Sequence, residues 1–297
     1  MPMQMILEEM RALVARHAGK PVPPRLPLSV GQAFEPTPLT HGLYKPMLYF
    51  VLQGAKRVII GGRTLEYRAG ELLVASIDLP VIGQVIEASP EKPLMIVALA
   101  LDPASIAALL IDMPNGGESA AEAGISISPI TPGLIDPLLR IARLLDAPED
   151  VPVMAPMLER EILYRVLQGP QGPILRQIAQ SDSRLSRIRR AIDWIGQNYA
   201  ESLKIDHLAS LAGMSASSFH RHFKAVTAMS PLAYQKSIRL QEARRRLIMA
   251  PAEAARVAYA VGYESPSQFS REYTRLFGLP PLRDAARLLH GGGLAEA

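Results

Sequence analysis

A pattern of small apolar, glycine, serine and aromatic residues occurs twice in the last third of the chain, with the two copies offset by about 50 residues. In each copy an apolar run ends at a glycine, a serine follows within three residues, and two aromatic residues spaced by four come next. The positions are Gly213, Ser215, Phe219 and Phe223 in the first copy and Gly262, Ser265, Phe269 and Tyr273 in the second. Glycine readily adopts the left-handed conformation that ends a helix, and a serine side chain accepts hydrogen bonds from the free N–H groups at the start of the next helix. Each copy therefore predicts two helices joined by a tight turn.

The second helix of each copy has an aromatic face and a polar face. The aromatic pair marks the buried face, because residues four apart lie on the same side of a helix. The polar face carries Ser217, His220, Arg221 and Lys224 in the first copy and Ser267, Gln268, Arg271 and Arg275 in the second. An exposed helix of this composition fits the major groove of duplex DNA, where arginine pairs with guanine and glutamine with adenine. We expect base contacts from Ser217, His220, Arg221, Ser267, Gln268 and Arg271, and phosphate contacts from Lys224, Arg239 and Arg275.

A single long helix is predicted between the two copies, from Leu232 to Ile248, directly after Pro231. At a rise of ~1.5 Å per residue it would span roughly 25 Å, which is the order of one turn of DNA. The helix contains Arg239 and the run Arg244-Arg245-Arg246. We expect these arginines to neutralise DNA phosphates, although an arginine run on a helix can also simply face solvent.

Charge is unevenly distributed along the 297 residues. Residues 181–297 contain 17 Lys and Arg against 10 Asp and Glu, whereas the rest of the chain contains 15 against 18. A basic third joined to a slightly acidic remainder suggests that one part binds a polyanion.

The chain has no cysteine, which excludes disulfides, thiolate zinc sites, iron–sulfur clusters and cysteine nucleophiles. No apolar run approaches the roughly 18 residues that span a bilayer, and Met1 to Lys20 lacks the apolar core of a signal peptide, so a cytoplasmic location is expected.

Short strands punctuated by glycine and proline are predicted between Leu28 and Leu101. Turn signals at intervals of about 8 to 12 residues favour a small β-barrel or a double-sheet jelly roll. A parallel α/β fold is not expected, because no helical pattern lies between these strands.

Helices are predicted again after this β-rich region. Met113 to Pro129 has the Gly/Ser/Ala-rich composition of a loop, and apolar residues at helical spacing then predict helices over Leu134–Leu145 and Val153–Leu167. We expect the two apolar stripes to be core, with a dimer interface as the alternative for one of them. The polar run Ser181-Asp182-Ser183 is the expected boundary between domains 1–180 and 181–297.

Further residues extend the repeated pattern and give it the form of a family motif. They are Leu208-Ala209 and Gly213-Met214-Ser215 in the first copy, and Ala258, Gly262-Tyr263, Gln268-Phe269, Phe277-Gly278 and Pro280-Pro281 in the second. With these residues, about 100 positions from Leu185 to Arg287 resemble the AraC/XylS family of bacterial regulators. Leu282 stands where the family usually has Tyr.

The N-terminal part is similar to the cupin-like arm of one AraC subgroup. The residues that carry this similarity are Tyr44-Lys45-Pro46, Leu52 to Val58, Gly61-Gly62-Arg63, Asp78 to Val81, Glu87 to Pro90, Leu101-Asp102-Pro103 and positions 156–172. The resemblance implies an α+β protein, with a cupin-like small β-barrel and flanking helices followed by an all-α domain of two helix-turn-helix units joined by a linker helix. It also implies a transcription regulator, an activator for instance, and not an enzyme, without cofactor or metal. Its partners would be promoter DNA, a small-molecule effector, RNA polymerase and a second copy of the chain.

The sequence is less consistent with other functions. A metal-dependent cupin needs several histidines and a carboxylate on one face, and the barrel region offers only His41. Glu159 and Glu161 lie two apart on a helix and point to different faces, which predicts surface charges and not an acid–base pair. Ser76, Asp78 and His41 lack the glycine pattern of a nucleophile elbow. An enzyme with an accessory DNA domain, and an adaptor whose basic third binds protein, are the alternatives.

Overall fold

The computed structural model describes residues 3–113, 124–180, 183–249 and 254–290. Strands occupy mainly the N-terminal part: β1 (Leu28–Ala33), β2 (Thr40–Tyr44), β3 (Met47–Gln53), β4 (Ala55–Ile60), β5 (Arg63–Arg68), β6 (Glu71–Ala75), β7 (Leu79–Glu87), β8 (Leu94–Ala100) and β9 (Ile125–Pro129). The helices are α1 (Met3–His17), α2 (Pro103–Ile111), α3 (Pro132–Arg143), α4 (Val151–Gln168), α5 (Gly172–Ala179), α6 (Arg184–Gln197), α7 (Ile205–Leu211), α8 (Ala216–Thr227), α9 (Pro231–Met249), α10 (Ala254–Ala260), α11 (Pro266–Phe277) and α12 (Pro281–His290). This order confirms the predicted α+β class.

Two antiparallel sheets form the N-terminal sandwich. One has the strand order β1-β8-β3-β6-β9 and the other has the order β2-β7-β4-β5. The central strand β3 is buried from Leu48 to Leu52, as expected for a strand covered on both faces. Helix α1 packs on β1, β3 and β8 and against α3, so helices cover the outer side of the five-stranded sheet.

The predicted small barrel is wrong, and the double-sheet alternative is confirmed. Among the described residues, β1, β9, β2 and β5 each pair with a single neighbour, so hydrogen bonding does not close the strands into one ring. The loop predicted from Met113 to Pro129 is wrong at its end, because Ile125–Pro129 is the strand β9, paired with β6. Positions 114–123 of that loop lie outside the described residues, as do residues 181 and 182 of the predicted domain boundary.

Buried apolar residues form two clusters. The larger one combines the two sheets and helices α1 to α6 with Phe219, Phe223 and Tyr234, which lie beyond the predicted domain boundary. The smaller one belongs to the C-terminal end of the chain and includes Leu240, Phe269 and other residues from α9 to α12. None of the described helices combines the length and the apolar character needed to cross a membrane.

Candidate nucleic-acid interface

The first helix-turn-helix unit consists of α7 and α8, which pack on α6. Gly213 in the turn has a φ of +59°, and the Ser215 hydroxyl accepts a hydrogen bond from the N–H of Ser218 at 3.4 Å. Phe219 and Phe223 are completely buried, with their ring centroids 5.4 Å apart. The predicted turn, cap and buried face of this unit are confirmed.

The opposite face of α8, the first reading helix, is open to solvent. The four side chains predicted to contact DNA from this helix are exposed: Ser217, His220, Arg221 and Lys224. About two turns of helix therefore present two cationic side chains and two hydrogen-bonding side chains, and no described element of the fold covers them.

The second unit, α10 and α11, repeats this arrangement. Gly262 has a φ of +88°, the Ser265 hydroxyl accepts from the N–H of Gln268 at 3.4 Å, and Phe269 and Tyr273 are buried. On the second reading helix, α11, the predicted side chains are again exposed: Ser267, Gln268, Arg271 and Arg275. Gln268, Arg271 and Arg275 line one open groove together with Glu272.

The predicted phosphate contact from Arg239 does not agree with the structure. Its guanidinium donates to the carbonyl oxygens of Tyr199 at 2.6 Å and Gly262 at 2.9 Å, and also to those of Ala200 and Glu201. All three guanidinium nitrogens thus bind backbone carbonyls, and burial lowers the pKa of Arg239. Because Tyr199 precedes the first unit and Gly262 lies in the turn of the second, Arg239 holds the two units together.

The side chains of the arginine run on the long helix α9 also form ion pairs within the protein. Arg244 is buried and forms an ion pair with the fully buried Asp284, with Nε and Oδ2 2.8 Å apart. Arg245 and Arg246 both pair with Glu242 on the same helix. The interpretation of this run as a phosphate-neutralising surface is therefore wrong for Arg244, whose charge is used to hold α12 on α9.

Several contacts join the N-terminal sandwich to the helical region. The N–H of Gly124 donates to the carbonyl of Val226 in the first reading helix at 3.0 Å, and the hydroxyl of Tyr234 donates to the carbonyl of Asp78 at 2.8 Å. The ring of His41 on β2 packs edge-on against Phe277 at the end of α11, with centroids 5.1 Å apart. The sandwich thus contacts both units, which the sequence did not indicate.

The residues weighed for catalysis are not brought together. The hydroxyl of Ser76 donates to the carbonyl of Gly124, Asp78 pairs with Lys45, and His41 packs on Phe277. Glu161 forms an ion pair with Arg140. Within the described ranges, no three His, Asp or Glu side chains lie close enough together to hold a metal ion.

The sequence patterns also do not indicate a polar network that lies on the second reading helix. The carboxylate of Glu272 accepts hydrogen bonds from Gln268 on its own helix, from Lys236 on α9 and from Tyr263 in the turn. The spacing of four between Gln268 and Glu272 was a readable signal of contact on one helix face. The two partners from outside the helix could not be read from spacing, because they depend on tertiary packing.

Comparisons with known proteins identify the family. Residues 26–174, half of the chain, match the model of the AraC-type transcriptional regulator N-terminus, and residues 208–287 match a helix-turn-helix domain. The chain belongs to the AraC family of transcriptional regulators. The predicted resemblance is thereby confirmed.

Curated relatives are similar over the C-terminal part. The HTH-type transcriptional activator RhaS of Pectobacterium carotovorum is 30% identical over 105 residues, which cover 35% of this chain and 38% of that protein. RhaS of Yersinia pestis is 27% identical over 121 residues, covering 41% and 42% respectively. The AraC-family chain thus matches only about two-fifths of the length of these relatives.

Solved structures match over most of the chain. ToxT from Vibrio cholerae with a bound unsaturated fatty acid has a TM-score of 0.58 at 8% identity, covering 90% of this chain and 96% of that one. ToxT bound to (E)-4-(8-methylnaphthalen-1-yl)but-3-enoic acid has a TM-score of 0.59 at 11% identity, covering 88% and 98%. At these identities the match shows a shared fold of sandwich and helical region.

Proposed function

We propose that this AraC-family chain binds promoter DNA through both helix-turn-helix units and regulates transcription there, without catalysing a reaction. The single observation that carries the proposal is the exposure of both polar reading faces on helices whose aromatic faces are buried. A helix held in this way can lie in a major groove. The proposal implies a cytoplasmic location.

The roles of the side chains follow from their chemistry. Arg221 and Arg271 project from the middle of the two reading helices and are suited to pair with guanine edges. Ser217, His220, Ser267 and Gln268 supply the remaining base contacts on these helices. Lys224 and Arg275, near the ends of the reading helices, hold phosphates.

The test is selection of bound duplexes from a pool with a randomised central segment, followed by affinity measurements on the selected site. We expect Arg221→Ala and Arg271→Ala each to weaken binding by about 1–3 kcal/mol and to relax base preference at one position. Arg16→Ala removes an exposed arginine from α1, which packs on the sandwich away from both units, and serves as the matched control with unchanged binding. Unchanged affinity in both reading-helix variants would contradict the proposal.

Lys224→Ala separates phosphate contacts from base contacts in the same assay. Because a phosphate contact carries no sequence information, its loss should weaken all duplexes similarly and reduce the salt dependence of binding by about one counterion. A loss restricted to one base position would instead assign Lys224 to base reading. Indifference of binding to salt would favour the alternative in which the basic region binds protein.

The N-terminal sandwich is proposed to bind a small effector. Two observations support this: the match to the AraC-type regulator N-terminus, and the shared fold with ToxT, which was solved with a fatty acid bound. The sandwich contacts both units, so a ligand that shifts it can change how the reading helices are held. A thermal-shift screen that includes oleate and short carboxylic acids tests for binding.

A second copy of the chain is the other proposed partner. Val153, Met157 and Tyr164 lie along one side of α4 and are exposed by 67%, 62% and 39% of their surfaces. An apolar stripe of this kind is typical of an interface. We expect the purified protein to sediment as a dimer and Met157→Glu to sediment as a monomer. A contact with RNA polymerase stays a prediction that depends on promoter binding.

A further inference from the structure

The exposed amide of Gln268 is hydrogen-bonded to the largely buried carboxylate of Glu272 on the second reading helix. Its Nε2 donates to Oε1 of Glu272 at 3.3 Å, one helical turn further along. Lys236 donates to the same oxygen at 2.9 Å, and the hydroxyl of Tyr263 donates to Oε2 at 2.9 Å. The side chain of Glu272 is only 13% exposed, so it lies beneath the reading surface.

The three donors keep this carboxylate charged and in place. Burial by itself would raise the pKa of Glu272, but the hydrogen bonds from Lys236, Tyr263 and Gln268 outweigh burial and hold the pKa below its usual value. Lys236 comes from α9 and Tyr263 from the turn before α11. The position of the carboxylate is therefore fixed by two elements outside the reading helix.

An ionised carboxylate accepts hydrogen bonds and cannot donate them. Only the nitrogen end of the Gln268 amide can therefore face Glu272. One of its two N–H groups is then occupied, and the other N–H and the carbonyl oxygen stay free on the exposed side. A neighbouring donor and acceptor match the N7 acceptor and N6 donor of adenine, whereas guanine presents two acceptors there.

We propose that Glu272 is a positioning residue, which orients the amide of Gln268 so that the second reading helix selects adenine and rejects guanine. This inference rests on the proposed DNA-binding function and assigns a base to one position of it. The first reading helix has no equivalent, because alignment of Phe219 with Phe269 places Ser218 and His222 at the corresponding positions.

The experiment compares duplexes selected from a randomised pool by the full-length wild-type protein, by Gln268→Ala and by Glu272→Gln. Gln268→Ala identifies the base pair that Gln268 contacts. At that pair we expect Glu272→Gln to reduce the preference for adenine over guanine by about tenfold, because an amide at position 272 can donate as well as accept and no longer dictates the orientation of Gln268. Preferences at the other positions of the half-site should stay within about twofold.

Glu264→Gln is the matched control, since Glu264 is exposed in the turn of the same unit. It should leave every base preference unchanged. Thermal unfolding of each variant checks the fold. If Glu272→Gln unfolds, Lys236→Gln decides instead, because it removes one of the bonds that hold the carboxylate and should weaken the same single preference.

The outcomes distinguish the two proposals. A wild-type protein that enriches no duplex would overturn the proposed function and this inference with it. A wild-type protein that enriches a clear motif, with the adenine preference retained in Glu272→Gln or weakened equally with all others in the half-site, would overturn the inference alone.

Discussion

In the first unit, Phe219 and Phe223 belong to the same buried cluster as the two sheets, whereas in the second unit Phe269 and Tyr273 belong to a separate, smaller cluster. Both units have a turn held by an arginine of the preceding long helix. Arg187 on α6 donates to the carbonyls of Ala212 and Gly213 in the first turn, as Arg239 on α9 does to that of Gly262 in the second. The same local layout is thus supported by the N-terminal sandwich in one case and mainly by α9 and α12 in the other.

The sandwich can therefore act directly on the first unit, whereas it can act on the second unit only through a few contacts. A change in the packing of the sheets reaches the first reading helix through continuous apolar core. It reaches the second unit through α9, Arg239 and the edge contact of His41. We expect the second unit to have the lower local stability, since small cores bury less apolar surface per residue.

The largest effect on stability is expected from removal of the buried carboxylate on α12, which packs against α9 and α11. Asp284 is fully buried, pairs with Arg244 and Arg287, and accepts from the hydroxyl of Tyr273 at 3.0 Å. Asp284→Ala leaves the buried charge of Arg244 without its carboxylate, so the free energy of unfolding of this unit should fall by about 3–5 kcal/mol. Calorimetry should show a separate, earlier transition for the second unit.

The matched control is Asp112→Ala, which removes the partner of Arg160 from an exposed ion pair and should change stability by about 0–1 kcal/mol. A single cooperative transition that shifts as a whole in Asp284→Ala would contradict the comparison, because it would mean that the two clusters unfold as one.

The second test concerns the junction between the units. A Cβ at Gly262 would overlap the carbonyl of Ala200, and the φ of +88° is unfavourable for any other residue. Gly278→Ala is the control, because Gly278 has a φ of +78° but open space around it. Both changes carry the cost of a left-handed backbone, and Gly262→Ala should lose about 2 kcal/mol more through overpacking.

The two glycine variants also differ in what they should do to DNA selection. Displacing the Gly262 turn from Ala200 loosens the contact that Arg239 makes with both units. We expect Gly262→Ala to accept half-sites moved by one base pair, and Gly278→Ala to keep the wild-type spacing. Identical spacing preferences in the two variants would show that α9 alone fixes the distance between the units.

The third test concerns the contact of the sandwich with the first unit. Gly61, at the β4–β5 turn, has a φ of +54°, and a Cβ there would overlap the backbone of Ala228 at the end of the first reading helix. Its neighbour Gly62 has a φ of +88° and no atom nearby, which makes Gly62→Ala the control. The turn can shift, so Gly61→Ala should destabilise by only about 1 kcal/mol more than Gly62→Ala. Equal unfolding free energies would remove this contact from the comparison.

The sequence predicted the parts of the fold and site that depend on local chemistry. The helical periods, the glycine turns and the Ser215 and Ser265 caps follow from residues within a few positions of one another, and they are present as expected. The parts that failed have two causes. Strand β9 has the alternation Ile125-Ser126-Ile127-Ser128, which is itself a strand signal, but the Gly/Ser/Ala-rich stretch before it favours a loop. The local sequence around Arg239 suggests a phosphate contact, because the carbonyl oxygens that it binds lie up to 40 positions away and cannot be recognised from that pattern.

The smallest effect is expected at the contact between His41 and the second unit. Burial against Phe277 lowers the pKa of His41, and Arg244 adds to this, while a hydrogen bond to the backbone of Leu276 and the charge of Asp284 oppose it. The folded protein thus keeps the ring neutral at pH values where the unfolded chain protonates it, below about 6.5. Because the unfolded state then binds more protons, stability is complete above this pH and decreases as the pH falls towards the lowered pKa.

We expect the unfolding free energy of the wild type to fall between pH 7.5 and pH 5.5 by up to about 1 kcal/mol more than that of His41→Gln. The difference between the two proteins isolates His41 from Glu159 and Asp193, whose pKa values are raised by burial and which titrate as the pH falls. If the extra loss appears as a weakening of the second unit and not as a shift of the whole unfolding transition, the edge contact couples the sandwich to that unit. Parallel pH profiles for the two proteins would leave α9 and the junction at Arg239 as the route by which the sandwich acts on the second reading helix.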